Sequence, residues 1–184
     1  MLSYLIDRYK IQVSDISSSA QNPEYLNQFD SVYIDADEYL TSAVAVKIYG
    51  DEELIKSSVF GASGGYTGVQ KSSMIVDVHK ITGCCCDTIF CLSVPELNLL
   101  WKTKADITTC FQIFKYQQDY IVHGEVEISR INEWGAIVWQ KSGADIFVRL
   151  KGSGGDFLIA DSYIFAKDWE NREYKFDFDG NIID

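Results

Sequence analysis

The stretch from His123 to Asp145, HGEVEISRINEWGAIVWQKSGAD, constrains the fold more than any other part of the chain. It reads as an alternating strand, a tight turn, a second strand ending in tryptophan, and a Gly–Ala–Asp break. In the first strand Val126, Ile128 and Arg130 fall on one face, with Glu125, Glu127, Ser129 and Ile131 on the other. Asn132-Glu133-Trp134-Gly135 is the hairpin turn, with glycine where a positive φ is wanted. The rest of the chain carries weaker copies. Asp87-Thr88-Ile89-Phe90 leads to Leu97-Asn98-Leu99-Leu100-Trp101, and Asp119-Tyr120-Ile121-Val122 leads to Gly135-Ala136-Ile137-Val138-Trp139. Asp161-Ser162-Tyr163-Ile164-Phe165 leads to Gly180-Asn181-Ile182-Ile183. Trp101 and Trp139 lie 38 residues apart, and Gly135 and Gly180 lie 45 apart. Those spacings are the length of a four-stranded propeller blade, and about four such units fit in the chain.

The N-terminal third follows the pattern least. Leu2, Leu5, Ile6 and Tyr9 have helical spacing and predict a short N-terminal helix, while Tyr9 to Val13 alternates as a strand does. Residues 17–29 cluster Ser, Asn and Pro and read as a loop, leading into a strand over SVYIDADEY. In TSAVAVKIYG, Val44, Val46 and Ile48 share a strand face, and Leu54 to Phe60 is a further strand. GASGGYTG (61–68) lacks the G-x-x-x-x-G-K-[ST] pattern and precedes a strand-like run, so it reads as a turn-forming loop and not a phosphate cradle. After it come strand runs at Thr88 to Val94, Leu97 to Trp101, Thr108 to Phe114, IFVRL, FLIA, SYIFAKDW and REYKFDF, with KGSGGD as a polar glycine loop. The expectation is an all-β chain of antiparallel β-meander repeats, propeller-like or sandwich, with a short N-terminal helix. It is read as a single β-rich domain, with residues 1–70 divergent and 71–184 forming three blade-like repeats.

Net charge is −11 and the pI is about 4.5, which disfavours nucleic-acid binding; the charge reads first as a solvated surface and, in the sharper alternative, favours fast encounter with a basic protein or cation. The N-terminal MLSYLIDRYK has no signal-peptide core, and no apolar run reaches a membrane span, so the expected place is the cytoplasm. The 5 cysteines, an odd count, are expected to be free thiols, with Cys84 and Cys86 on one strand face and Cys85 on the other. No C-x-x-C pair exists; a site of His79 with the cysteine triplet is the weaker reading, and no metal or cofactor is expected.

HGEVEISRI (123–131), IVWQKSGADIF (137–147) and DWENREYKFDFDGNI (168–182) together resemble a family of uncharacterised bacterial proteins. GAIVW and DFDGNII also resemble the strand ends of quinoprotein-type propeller repeats, in blade grammar and not in cofactor. The resemblance implies a shared β architecture and transfers no catalytic residue. Where the third repeat would carry its closing aromatic stands Asp184.

His123 and Glu125, two apart on a strand, project to one face; with Asp145 and Asp168 they define a candidate metal or proton-transfer cleft. The competing reading is that they satisfy strand ends and turns. Arg130 with Asp145 and Asp168 reads as a register-fixing set. No G-x-S-x-G is present, so a serine nucleophile is not indicated. Trp134 at a turn, Trp169, Tyr163 and Tyr174 are the candidate contact aromatics, with Glu125, Asp145 and Asp168 as acidic company; the competing reading of Trp169 is that it closes the core under the last hairpin. The functional expectation is a non-enzymatic protein-binding module, in its concrete form an immunity-type protein that neutralises a basic bacterial toxin. An enzyme or ligand binder using the His123/Glu125/Asp145/Asp168 cleft is the alternative.

Overall fold

The computed structural model describes residues 1–34, 40–148 and 156–183. The described residues form four sheets in chain order. The first holds β1 (Leu2–Ile6), β2 (Tyr9–Asp15), β4 (Ser42–Gly50), β5 (Glu53–Ala62) and, parallel to β5 at its far edge, β3 (Ser31–Tyr33). The second is a meander of β6 (Met74–Val76), β7 (Lys80–Cys85), β8 (Thr88–Ser93) and β9 (Leu99–Lys104). The third repeats that order with β10 (Cys110–Tyr116), β11 (Asp119–Gly124), β12 (Glu127–Ile131) and β13 (Ile137–Ser142). The fourth holds β14 (Phe157–Ile159), β15 (Ile164–Lys167) and β16 (Glu173–Phe176), with Ile182 in an isolated antiparallel bridge to Phe176.

These sheets stack face to face in chain order, as blades do. Ile11, Val46 and Phe60 of the first pack on Ile81, Phe90 and Leu92 of the second, with the Phe60 and Phe90 rings stacked at 4.6 Å. Cys84 and Ile89 of the second meet Ile113, Tyr120 and Val122 of the third. Ile121 and Ile128, on the opposite face of the third sheet, meet Ile164, Ala166 and Phe176 of the fourth. Strand alternation thus serves two cores at once in each inner sheet, which is why β7, β8 and β11 are buried along almost their whole length.

A repeated lock joins consecutive sheets. Asn132 Oδ1 accepts from the Trp134 and Ala136 amides, and Asp177 Oδ1 accepts from those of Asp179 and Asn181. Both turns bring a glycine to positive φ, Gly135 at 88° and Gly180 at 82°. Onto each bare glycine lies a tryptophan from the preceding sheet. A Cβ at Gly135 would stand 2.6 Å from Trp101, and one at Gly180 would stand 2.8 Å from Trp139. The indole N–H then donates to the carbonyl two residues before the glycine, Trp101 to Glu133 (3.0 Å) and Trp139 to Phe178 (2.9 Å).

The opposite end of the stack is laced by backbone bonds. Cys110 N donates to Cys86 O, Glu125 N to Thr109 O, Phe147 N to Glu125 O, and Trp169 N to Ile146 O. Buried Asp106 accepts four amides there, Thr108 and Thr109 on one oxygen, Val126 and Glu127 on the other.

Several expectations are corrected. Leu2 to Ile6 is a strand, because Leu2, Tyr4 and Ile6 alternate inward while Asp7, at φ 50°, turns the hairpin. The short α-helix lies instead at Pro23–Leu26 (α1), inside the stretch read as loop, with Asn22 capping it and proline in its first turn. The Asp87 copy is one strand out of phase: Thr88–Ser93 is the third strand of its sheet, whereas Asp119 and Asp161 precede second strands. Cys86 lies in the turn beyond β7 at φ 54°, so it joins Cys85 in the first core while Cys84 faces the second. The ends of SVYIDADEY and IFVRL, most of the KGSGGD loop, and Asp184 lie outside the described residues.

Candidate protein-binding surface

The stacking sorts the predicted contact residues to opposite ends. Trp134 sits at the tip of the β12–β13 hairpin and is 72% exposed. Glu125, Asp145, Asp168 and Trp169 gather at the other end, around the connector that carries Ile146 and Phe147.

The turn backbone that carries Trp134 is braced despite the exposure of its side chain. Asn132 braces it from within, and Trp101 presses on Gly135 from behind while bonding the Glu133 carbonyl. Thr103 Oγ1 adds a hydrogen bond to Gly135 O. Ile137 and Val138, on the outer strand leaving the tip, are also exposed. Beside the tip, a groove of about 410 Å³ opens between the second and third sheets, with Glu133 on its rim and Lys80, Lys115 and Tyr120 in its lining.

At the far end, Trp169 is 43% exposed and Asp168 is fully buried. Burial opposes ionisation of Asp168. The Arg172 amide, the Tyr174 hydroxyl and the Arg172 guanidinium outweigh it and hold the carboxyl below its ordinary range. Asp168 therefore shapes the turn that carries Trp169, and its oxygens are taken up within that turn. Asp145 accepts from the Ile146 amide (2.8 Å), and Glu125 takes part through its backbone in the lacing described above.

His123 points inward, between the third and fourth sheets. Its ring stacks on Phe157 at 4.2 Å, Nδ1 meets Gln112 Oε1 at 3.2 Å and Nε2 meets the Phe147 carbonyl at 3.1 Å. Burial lowers its pKa to about 4, so the imidazole is neutral over the physiological range. Of the four residues of the candidate cleft, His123 and Asp168 are thus committed to internal bonds. Arg130 bonds Asp119, the Phe178 carbonyl and Asp179, and not Asp145 or Asp168. It ties the third sheet to the fourth, as a register-fixing residue does.

All five cysteines are free and buried, and burial pushes the thiols of Cys84 and Cys110 up. His79 is exposed at one end of β7 and Cys84 to Cys86 lie at the other; no group of three or more metal-ligating side chains occurs among the described residues.

Sequence reasoning missed the groove. Its residues come from two sheets, and only the stacking brings Lys80 to Lys115.

No family model matches the chain, and no curated protein matches it. Two solved structures are similar to it at low identity. The AfRom2 CNH domain is 14% identical, with 77% of this chain and 46% of that one covered, at a TM-score of 0.46. BamB from Moraxella catarrhalis is 15% identical, with 85% and 52% covered, at a TM-score of 0.47. This chain spans about half the length of each. Among the described residues no helix is long and apolar enough to cross a membrane.

Proposed function

We propose that this chain is a non-enzymatic protein-binding β domain whose principal contact is the hairpin tip bearing Trp134. One observation carries the reading: a tryptophan 72% exposed on a turn braced by an Asx bond and a docked indole. An exposed large aromatic serves no core, and a braced turn backbone reduces the entropy lost when a partner covers it. Trp169, with Glu125 and Asp145 nearby, is the secondary contact set, and Asp168 holds its turn.

In the finer reading the chain works in the cytoplasm as an immunity-type member of the bacterial family it resembles, neutralising a basic toxin. The net charge of −11 supports this, since opposite charge accelerates encounter. Salt then slows association more than it speeds dissociation.

The test is capture from a native lysate with the wild-type chain, Trp134→Ala and Trp169→Ala, followed by binding of the identified partner in purified form. The expected result is one partner, weakened about 30-fold or more by Trp134→Ala, as for a central hot spot. Equal affinity of wild type and Trp134→Ala for every purified partner would refute the reading.

A further inference from the structure

The groove beside the Trp134 tip holds charge that the fold leaves unpaired. Lys115 Nζ donates 2.7 Å to the Gln118 carbonyl and lies 4.2 Å from the Tyr120 ring centroid, both neutral partners. Among the described residues, no carboxylate lies within ion-pair distance of Lys115 or of Lys80, which faces it from the second sheet. The chain has 27 acidic residues against 16 Lys and Arg, so two lysines in one groove with no carboxylate at ion-pair distance run against its composition. Burial depresses the Lys115 pKa and Lys80 depresses it further, while Asp77 and Glu133 raise it from the rim. An ammonium has three donors, and at least one on Lys115 is left for a ligand.

We propose that this groove binds a single carboxylate, received by Lys115 and Lys80 with the exposed His79 at the mouth. The apolar part of the ligand lies on exposed Val78. Asp77 and Glu133 on the rim offset part of the positive charge of the two lysines. The volume of about 410 Å³ suits a side chain or a small acid. The carboxylate comes either from a free small molecule or from an acidic side chain of a protein partner. In the second case the inference rests on the protein-binding reading, because Glu133 lies next to Trp134.

The test is a titration of the 15N-labelled full chain, followed by amide shifts of Val78, His79 and Gln118. The probes are N-acetyl-leucine and its neutral amide, acetyl-Ala-Glu-Ala-amide and its glutamine analogue, and inorganic phosphate. The expected result is that the acid of each pair binds at least about tenfold tighter than its neutral partner. N-acetyl-leucine and the glutamate peptide separate the small-molecule source from the side-chain source. Lys115→Met and Lys80→Met each weaken the acid about tenfold or more, Lys115→Arg keeps most of the affinity, and Asp77→Asn, which retains the turn-capping oxygen, tightens it.

Equal binding of acid and amide, tighter binding of phosphate, no shifts at about 10 mM probe, or full affinity in folded Lys115→Met and Lys80→Met would each overturn the assignment. Trp134→Ala leaves these small-probe shifts in place. Loss of partner capture with the shifts retained sinks the Trp134 surface alone, and capture without probe binding sinks the groove alone.

Discussion

Replacing Gly135 with alanine tests the lock between sheets, and its cost can be worked from the geometry. The backbone there has φ 88°, a conformation that costs an L-residue roughly 1–2 kcal/mol. The added methyl would sit 2.6–2.8 Å from three atoms of the Trp101 indole, so the ring must withdraw. Withdrawal breaks its bond to the Glu133 carbonyl, worth about 1 kcal/mol net, and loosens its packing on Tyr120, worth about 0.5–1.5 kcal/mol beyond area. The expected loss is about 3–4 kcal/mol, or roughly 6–16 °C in melting temperature for a chain of this size. Urea unfolding followed by far-ultraviolet circular dichroism measures it. Gly68→Ala is the control, because its Cβ would find nothing nearer than 3.7 Å, and it should change stability by less than about 0.5 kcal/mol. In a Trp101→Ala background Gly135→Ala should cost only the backbone share, about 1–2 kcal/mol. If Gly135→Ala is as stable as wild type, or costs the same with and without Trp101, the lock does not exist as described.

Three further outcomes are expected. His123 titrates near 4 when folded and near 6.5 when unfolded, so the unfolded chain takes up the proton first. Stability is unaffected above about pH 6.5 and falls by roughly 3 kcal/mol on the way to pH 4, at about 1.4 kcal/mol per unit of pKa difference; denaturation midpoints of His123→Gln should lose most of that slope. Asp106→Asn presents an amide nitrogen to two of the four N–H groups that the carboxylate satisfies, and should cost about 2–4 kcal/mol in chemical denaturation. A thiol-reactive chromogenic disulfide should label none of the cysteines in the native chain and all 5 in denaturant, since each is buried.

Much of the architecture is legible because alternation is a local property. Val44, Val46 and Ile48 are readable as one face of a strand, and the Asn132 turn is readable from its asparagine and glycine. The N-terminal hairpin is harder, as Leu2, Leu5, Ile6 and Tyr9 fit a helical stripe while Leu2, Tyr4 and Ile6 fit a strand; pairing with β2 across the Asp7 turn decides it. The repeat phase at Asp87 is misread because an aspartate opens both kinds of hairpin, and only partner strands tell them apart. The tryptophan spacing is visible, but each indole closes the next unit and not its own. The candidate site divides the same way. Exposure of Trp134 follows from its place in a turn, whereas burial of His123 depends on Phe157, in another sheet. The groove was invisible because its two lysines are neighbours only in space.

The indole lock has a direction. Trp101 of the second sheet steadies the tip of the third, and Trp139 of the third steadies the turn of the fourth. The same contact therefore recurs from each sheet to the next down the chain. A lesion at Trp101 would blur the aim of Trp134 without touching the surface that meets a partner. The lock holds the backbone of the tip and leaves the Trp134 side chain outside it, so the residue at that position is free to diverge. Sequence change can retarget the contact surface hairpin by hairpin while the indoles keep the frame that aims it.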